Sequence, residues 1–131
     1  MRIELGIITA MASLLAAAPL AAHHAFSAEF DKDQPIKLRG TITRMDWVNP
    51  HSWLYVDVKA ADGSVVNWRF EMGPPNGLLR SGWRKDSVKA GTEVVVEGSR
   101  AKNGGPVANA RIVTFADGKE MFTAGSSPDT K

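Results

Sequence analysis

Hydrophobic and polar residues alternate through most of the chain from Ile36 onward, and this two-residue period predicts strands rather than helices. Ile36, Leu38, Gly40 and Ile42 fall on one face against Lys37, Arg39, Thr41 and Thr43, so strand one runs from Ile36 to Trp47. Gly40 inside it predicts a bulge or bend. Strand two is Trp53 to Lys59, with Leu54, Val56 and Val58 inward and Trp53, Tyr55 and Asp57 outward. Asp62-Gly63 is a hairpin signal, and strand three places Val66, Trp68, Phe70 and Met72 inward against Asn67, Arg69 and Glu71. Gly73-Pro74-Pro75 ends that strand, because successive prolines remove ladder donors. Asn76 is placed to cap a short helix through Leu78, Leu79 and Arg80, which Gly82 ends before Trp83. Val88 points inward from a polar connection. Strand four spans Thr92 to Ser99 around Val94, Val95 and Val96, and strand five spans Val107 to Phe115, with Ala110 and Ile112 on one face and Arg111 and Val113 on the other.

Five strands with one short helix between the third and fourth follow the order of a small OB-like Greek-key barrel, a fold that takes ligands across strands two and three and the adjoining loops. An immunoglobulin-like sandwich needs about seven strands and leaves the helix unexplained. The expected organisation is all-β, with the barrel at residues 36–123 and a disordered tail at 124–131.

The pattern changes before Ile36. Met1-Arg2-Ile3-Glu4 leads into an uncharged, alanine-rich stretch from Leu5 to Leu20, then Ala21-Ala22 and His23-His24. A basic start, an apolar middle and small residues before a polar change read as a signal peptide over residues 1–22. An uncleaved anchor is the other reading, but the stretch is short and alanine-diluted against the ~20 apolar residues that span a bilayer. Export to the periplasm or medium is therefore expected, with no stable membrane span after cleavage. Residues 23–35 form an arm in which Phe26 and Phe30, four apart, can pin the segment to the domain.

Composition narrows the chemistry. The chain has 131 residues, 44% of them hydrophobic, and no cysteine, which excludes disulfides, thiolate metal sites and a cysteine nucleophile. The 16 basic residues against 14 acidic ones give too small a surplus to imply a nucleic-acid surface. Ser27, Ser52 and Ser64 lie in no nucleophile motif and Glu71 has no carboxylate partner at fixed spacing, so a non-catalytic protein is expected.

The three histidines are His23, His24 and His51. Cleavage after Ala22 would leave His23 with a free α-amine beside its imidazole. Together with His51, in the turn Trp47-Val48-Asn49-Pro50-His51-Ser52-Trp53, it would supply a three-nitrogen set suited to Cu(II), or to Zn(II), with His24, Glu71 or Met72 as a further weak ligand. In the other reading His51 bonds a backbone carbonyl and locks the turn. Trp47, Asn49, Trp53, Tyr55, Arg69 and Glu71 are the candidate face for a small ligand or an exported protein partner. Trp68 and Trp83 are assigned to the core.

His23-His24-Ala25-Phe26-Ser27-Ala28-Glu29-Phe30-Asp31, then Trp47-Val48-Asn49-Pro50-His51, then Glu71, Pro74 and Gly82-Trp83, together resemble a domain-of-unknown-function family of small exported proteins from Proteobacteria. The resemblance spans about the whole chain after residue 22. It implies that the His-His start, the Asn-Pro-His turn and the Gly-Trp element belong together, and it brings no activity with it.

Overall fold

The computed structural model describes residues 26–86 and 88–126. The expected signal peptide, His23, His24 and the last five residues of the expected tail lie outside them. Six strands, β1 (Phe30–Asp46), β2 (Trp53–Lys59), β3 (Val65–Glu71), β4 (Glu93–Ala101), β5 (Val107–Phe115) and β6 (Glu120–Phe122), and one helix, α1 (Pro75–Arg80), follow each other in that sequence order, with α1 between β3 and β4. A single helical turn over residues 26–29 precedes β1.

The strands form one sheet in the order β3-β2-β1-β4-β5-β6, antiparallel at each of those neighbours. A parallel pairing of β3 with β5, Arg69 opposite Val107 and Glu71 opposite Asn109, returns the ladder to its start. Hydrogen-bonded pairing therefore runs β1, β2, β3, β5, β4 and back to β1.

The core lies inside that circuit. Ile42, Leu54, Val56, Phe70, Met72, Leu78, Trp83, Val94, Val96, Ala108, Ala110 and Val113 are all buried there, and Val88 packs against them from the connection. β2 has the bounds and the facing read from its alternation: Leu54, Val56 and Val58 are buried, while Trp53, Tyr55 and Asp57 are half-buried.

Several expectations need correction. β1 begins at Phe30, six residues before the expected Ile36, because β4 extends to Ala101 and pairs with Phe30 beyond an irregularity between Phe30 and Pro35. The bulge in β1 falls at Thr43, skipped between Ile42 opposite Val56 and Arg44 opposite Tyr55, and not at Gly40. Gly40 marks a close approach instead: a Cβ there would lie 2.3 Å from the Asp57 carbonyl oxygen. In β5 the inward face changes parity. Arg111 is skipped between Ala110 opposite Gly98 and Ile112 opposite Glu97, so Val113 rather than Ile112 turns into the core.

Pro75 opens α1, with Pro74 preceding it and no side-chain cap, so Asn76 lies within the helix. Its far end is as expected: Gly82, at φ +95°, donates to the Leu79 carbonyl, and Trp83 donates to the Leu78 carbonyl. That pair of bonds is a Schellman ending, and it delivers Trp83 into the core. β6 was not expected as a strand, and the chain stays packed just beyond it. Gly73 donates to the Thr123 carbonyl, and a Cβ on Gly73 would meet Ala124 at 2.2 Å, so the expected disordered tail does not start at residue 124.

Candidate functional site

The connection from β1 to β2 runs over residues 47–52, with Trp47 packed on the core and Val48, Asn49 and Pro50 exposed. Asn49-Pro50 is cis. Two backbone bonds, Ser52 N–H to the Gly73 carbonyl and Met72 N–H to the Ser52 carbonyl, tie this connection to the end of β3. His51 is thereby held beside Glu71.

The His51 Nδ1 lies 3.7 Å from the Glu71 Oε1. That nitrogen is buried and has no hydrogen-bond partner, and the hydroxyl of the neighbouring Ser52 is buried and unpartnered too. Such groups are rare inside proteins, because each loses its hydration without replacement. The reading in which His51 locks the turn through a backbone carbonyl does not hold at Nδ1.

Glu71 was expected on the exposed face of β3, yet it is only 8% exposed. Two neighbouring features act on it. β5 lies alongside β3, and Asn109 Nδ2 donates to Glu71 Oε1 at 3.4 Å from across that parallel pair. The arm supplies the other: Phe26 and Phe30 pack with Ala101 and Val107 on the outside of β4 and β5, which brings Glu29 close enough for its charge to act on Glu71.

Burial raises the Glu71 pKa above its ordinary 4.5, the negative charge of Glu29 raises it further, and His51 and the Asn109 bond oppose both. Because the folded protein holds this proton more tightly than the unfolded chain, Glu71 stabilises the fold below about pH 4.5, and that contribution is lost as pH rises through the raised value. Urea unfolding of wild type and Glu71→Gln between about pH 4 and pH 8 should show the wild type losing stability relative to the variant as pH rises. Parallel curves would mean that Glu71 titrates as a solvated carboxyl.

The rest of the candidate face is arranged by arginines. Arg69 lies over the Trp53 ring at 4.7 Å and Arg44 over the Tyr55 ring at 3.9 Å. Arg44 also meets Asp46 at 3.2 Å. Trp53, Tyr55, Arg69 and Glu71 share the outer face of β2 and β3, with Trp53 opposite Glu71 and Tyr55 opposite Arg69. Trp47 and Asn49 stand apart in the connection. Met72 is fully buried in the core, so it is unavailable as a ligand.

A family model described as a family of unknown function, DUF6152, matches residues 10–109. The chain belongs to this family. No curated protein and no solved structure matches the chain. The DUF6152 match takes in His23, His24, His51 and Glu71, and it ends at Asn109 within β5.

Asn109 and Ser52 were missed in the sequence. Asn109 carries a visible signal, a polar side chain between Ala108 and Ala110; the parallel partner that explains it leaves none. Among the described residues, no three of His, Asp and Glu cluster as a metal site, and no helix is long and apolar enough to cross a membrane. The other two histidines of the expected site, His23 and His24, lie outside the described residues.

Proposed function

We propose that this protein is an exported, non-catalytic binding module on an OB-like barrel, which captures Cu(II) or Zn(II) through His51 together with His23 and His24. The observation that carries the reading is the imidazole of His51, its Nδ1 buried without a hydrogen bond beside a buried carboxylate. The nearby carboxylate places negative charge behind the Nδ1 side of the ring, which favours a cation at its other nitrogen, Nε2. The arm supports it as well. Glu29 acts on Glu71, and His24 precedes Phe26 by two residues, a tether of at most ~8 Å between Cα atoms. If cleavage follows Ala22, the α-amine of His23 joins the set. The barrel assignment draws on the pairing circuit through β3 and β5 and on the place of α1 between β3 and β4.

Mass spectrometry of the exported protein should find His23 at the terminus. Titrated with Cu(II), His51→Ala should then bind at least about a hundredfold more weakly than wild type, since loss even of an outer partner to a ligating histidine costs about 10–100-fold. Equal affinities would remove His51 from the site. A terminus other than His23 would remove the amine.

A second reading, an accessory subunit docking an exported partner through Trp47, Trp53, Tyr55 and Arg69, is favoured by the two arginine-capped aromatic rings on the outer face. Wild type that binds no Cu(II) below the micromolar range would favour it.

A further inference from the structure

The arm does more than bring the charge of Glu29 to bear on Glu71. Where it crosses the ends of β2, β3, β4 and β5 it leaves a cleft of about 450 Å³, open on one side. That volume falls in the range that holds small organic ligands. Its lining is mixed: the half-buried Val107 and Trp53 supply the accessible apolar surface, with Phe30 and Ala101 buried beneath. Arg69, Lys102 and Glu29 bring charge to the rim.

Arg69 is the telling residue. Lys32, Lys37 and Arg44 each meet a carboxylate of this chain, at 3.1, 2.8 and 3.2 Å. Arg69 meets none among the described residues; its guanidinium is positioned by the Trp53 ring, 4.7 Å from the ring centre. This cation–π contact positions the guanidinium without spending its N–H donors on a carboxylate. Lys102, on the other side of the cleft, donates to the Ser27 carbonyl, which fixes its ammonium at the root of the arm with two further N–H donors. Two cations, Arg69 and Lys102, share the cleft with one acid, Glu29, beside the apolar surface of Val107 and Trp53.

We infer that this cleft binds a small organic anion with a flat apolar body, of the aromatic carboxylate class. The ring lies between Val107 and Trp53, and the carboxylate takes N–H donors of Arg69 and Lys102. Arginine and carboxylate match in geometry, and such charge-assisted bonds are the strong ones. The site needs neither His51 nor a metal ion, so it stands apart from the proposed metal capture.

The test uses the full exported chain with a chelator present. Binding of 4-fluorobenzoate is followed by 19F NMR, with 4-fluorobenzyl alcohol as the neutral probe and 4-fluorobenzylamine as the cationic one. The carboxylate should broaden saturably at millimolar concentration or below. Its affinity should fall about tenfold in Arg69→Gln and in Lys102→Ala, both exposed positions that leave the core intact. The alcohol should bind at least about tenfold more weakly than the carboxylate. Absence of saturable broadening by the carboxylate, equal affinity in Arg69→Gln, or an alcohol that binds as well would overturn the anion site. An amine that binds more tightly than the carboxylate would overturn it too, and would assign the cleft to Glu29 and a cation.

Discussion

Replacing Trp83 by alanine is expected to lower the stability of the protein by about 3–5 kcal/mol, the usual cost of removing a large aromatic side chain from a core. Trp83 is fully buried and contacts three separate parts of the fold. It follows the Schellman ending of α1, its ring stands 6.1 Å from that of Phe115 on β5, and its Nε1 donates to the Phe122 carbonyl on β6 at 2.8 Å. The alanine variant leaves a cavity and an unpaired carbonyl together, and a domain of this size has only about 5–15 kcal/mol in all. Trp83→Phe should cost less, since it keeps most of the ring and loses chiefly the hydrogen bond, worth about 1 kcal/mol. Urea unfolding followed by far-ultraviolet circular dichroism measures both. If Trp83→Ala cost under about 1 kcal/mol, the connection through α1 would lie outside the cooperative unit.

Trp83 was assigned to the core from sequence because the run from Gly73 to Gly82 has strong local chemistry: prolines that stop a strand, and a glycine that ends a helix. β2 was equally plain, since strict alternation fixes its facing and Asp62-Gly63 fixes its end. What local chemistry does not encode is which distant strand comes alongside. Glu71 reads as an outward charge by period, and it is buried where β5 pairs with β3 and Asn109 comes opposite it. The bulges at Thr43 and Arg111 fall on ordinary residues with no compositional mark, and each reverses the face of everything after it. This is how Ile112 and Val113 came to be exchanged. The candidate site was legible in the same uneven way: the turn that carries His51 could be placed between the first two strands and Glu71 could be offered as its neighbour. The burial of that pair could not.

The residue that joins fold to site is Gly98. It sits opposite Ala110, next to the bulge at Arg111, where β4 and β5 come unusually close. A Cβ on Gly98 would lie 1.9 Å from the carbonyl oxygen of Asn109 and 2.9 Å from its carbonyl carbon. Both are backbone atoms, so no side chain can rotate away and the two strands must separate. Gly98→Ala should therefore cost about 3 kcal/mol or more, at or above the top of the usual range for overpacking. Gly105→Ala is the control. Its Cβ would meet only the side chain of Asn103, at 3.3 Å, and its cost should stay below about 1 kcal/mol. The damage from Gly98→Ala should also reach the site. Asn109 pairs with Glu71 through the β3–β5 ladder and donates to its carboxylate, so displacing Asn109 removes a bond that holds the Glu71 charge in place. The 13C shift of the Glu71 carboxyl, followed against pH, should then titrate higher in Gly98→Ala than in wild type, because the Asn109 bond is one of the two influences that lower it. A variant that loses stability while the Glu71 titration stays put would show that β5 moves as a whole and carries β3 with it. An unchanged stability would show that the contact between β4 and β5 relaxes without breaking the ladder.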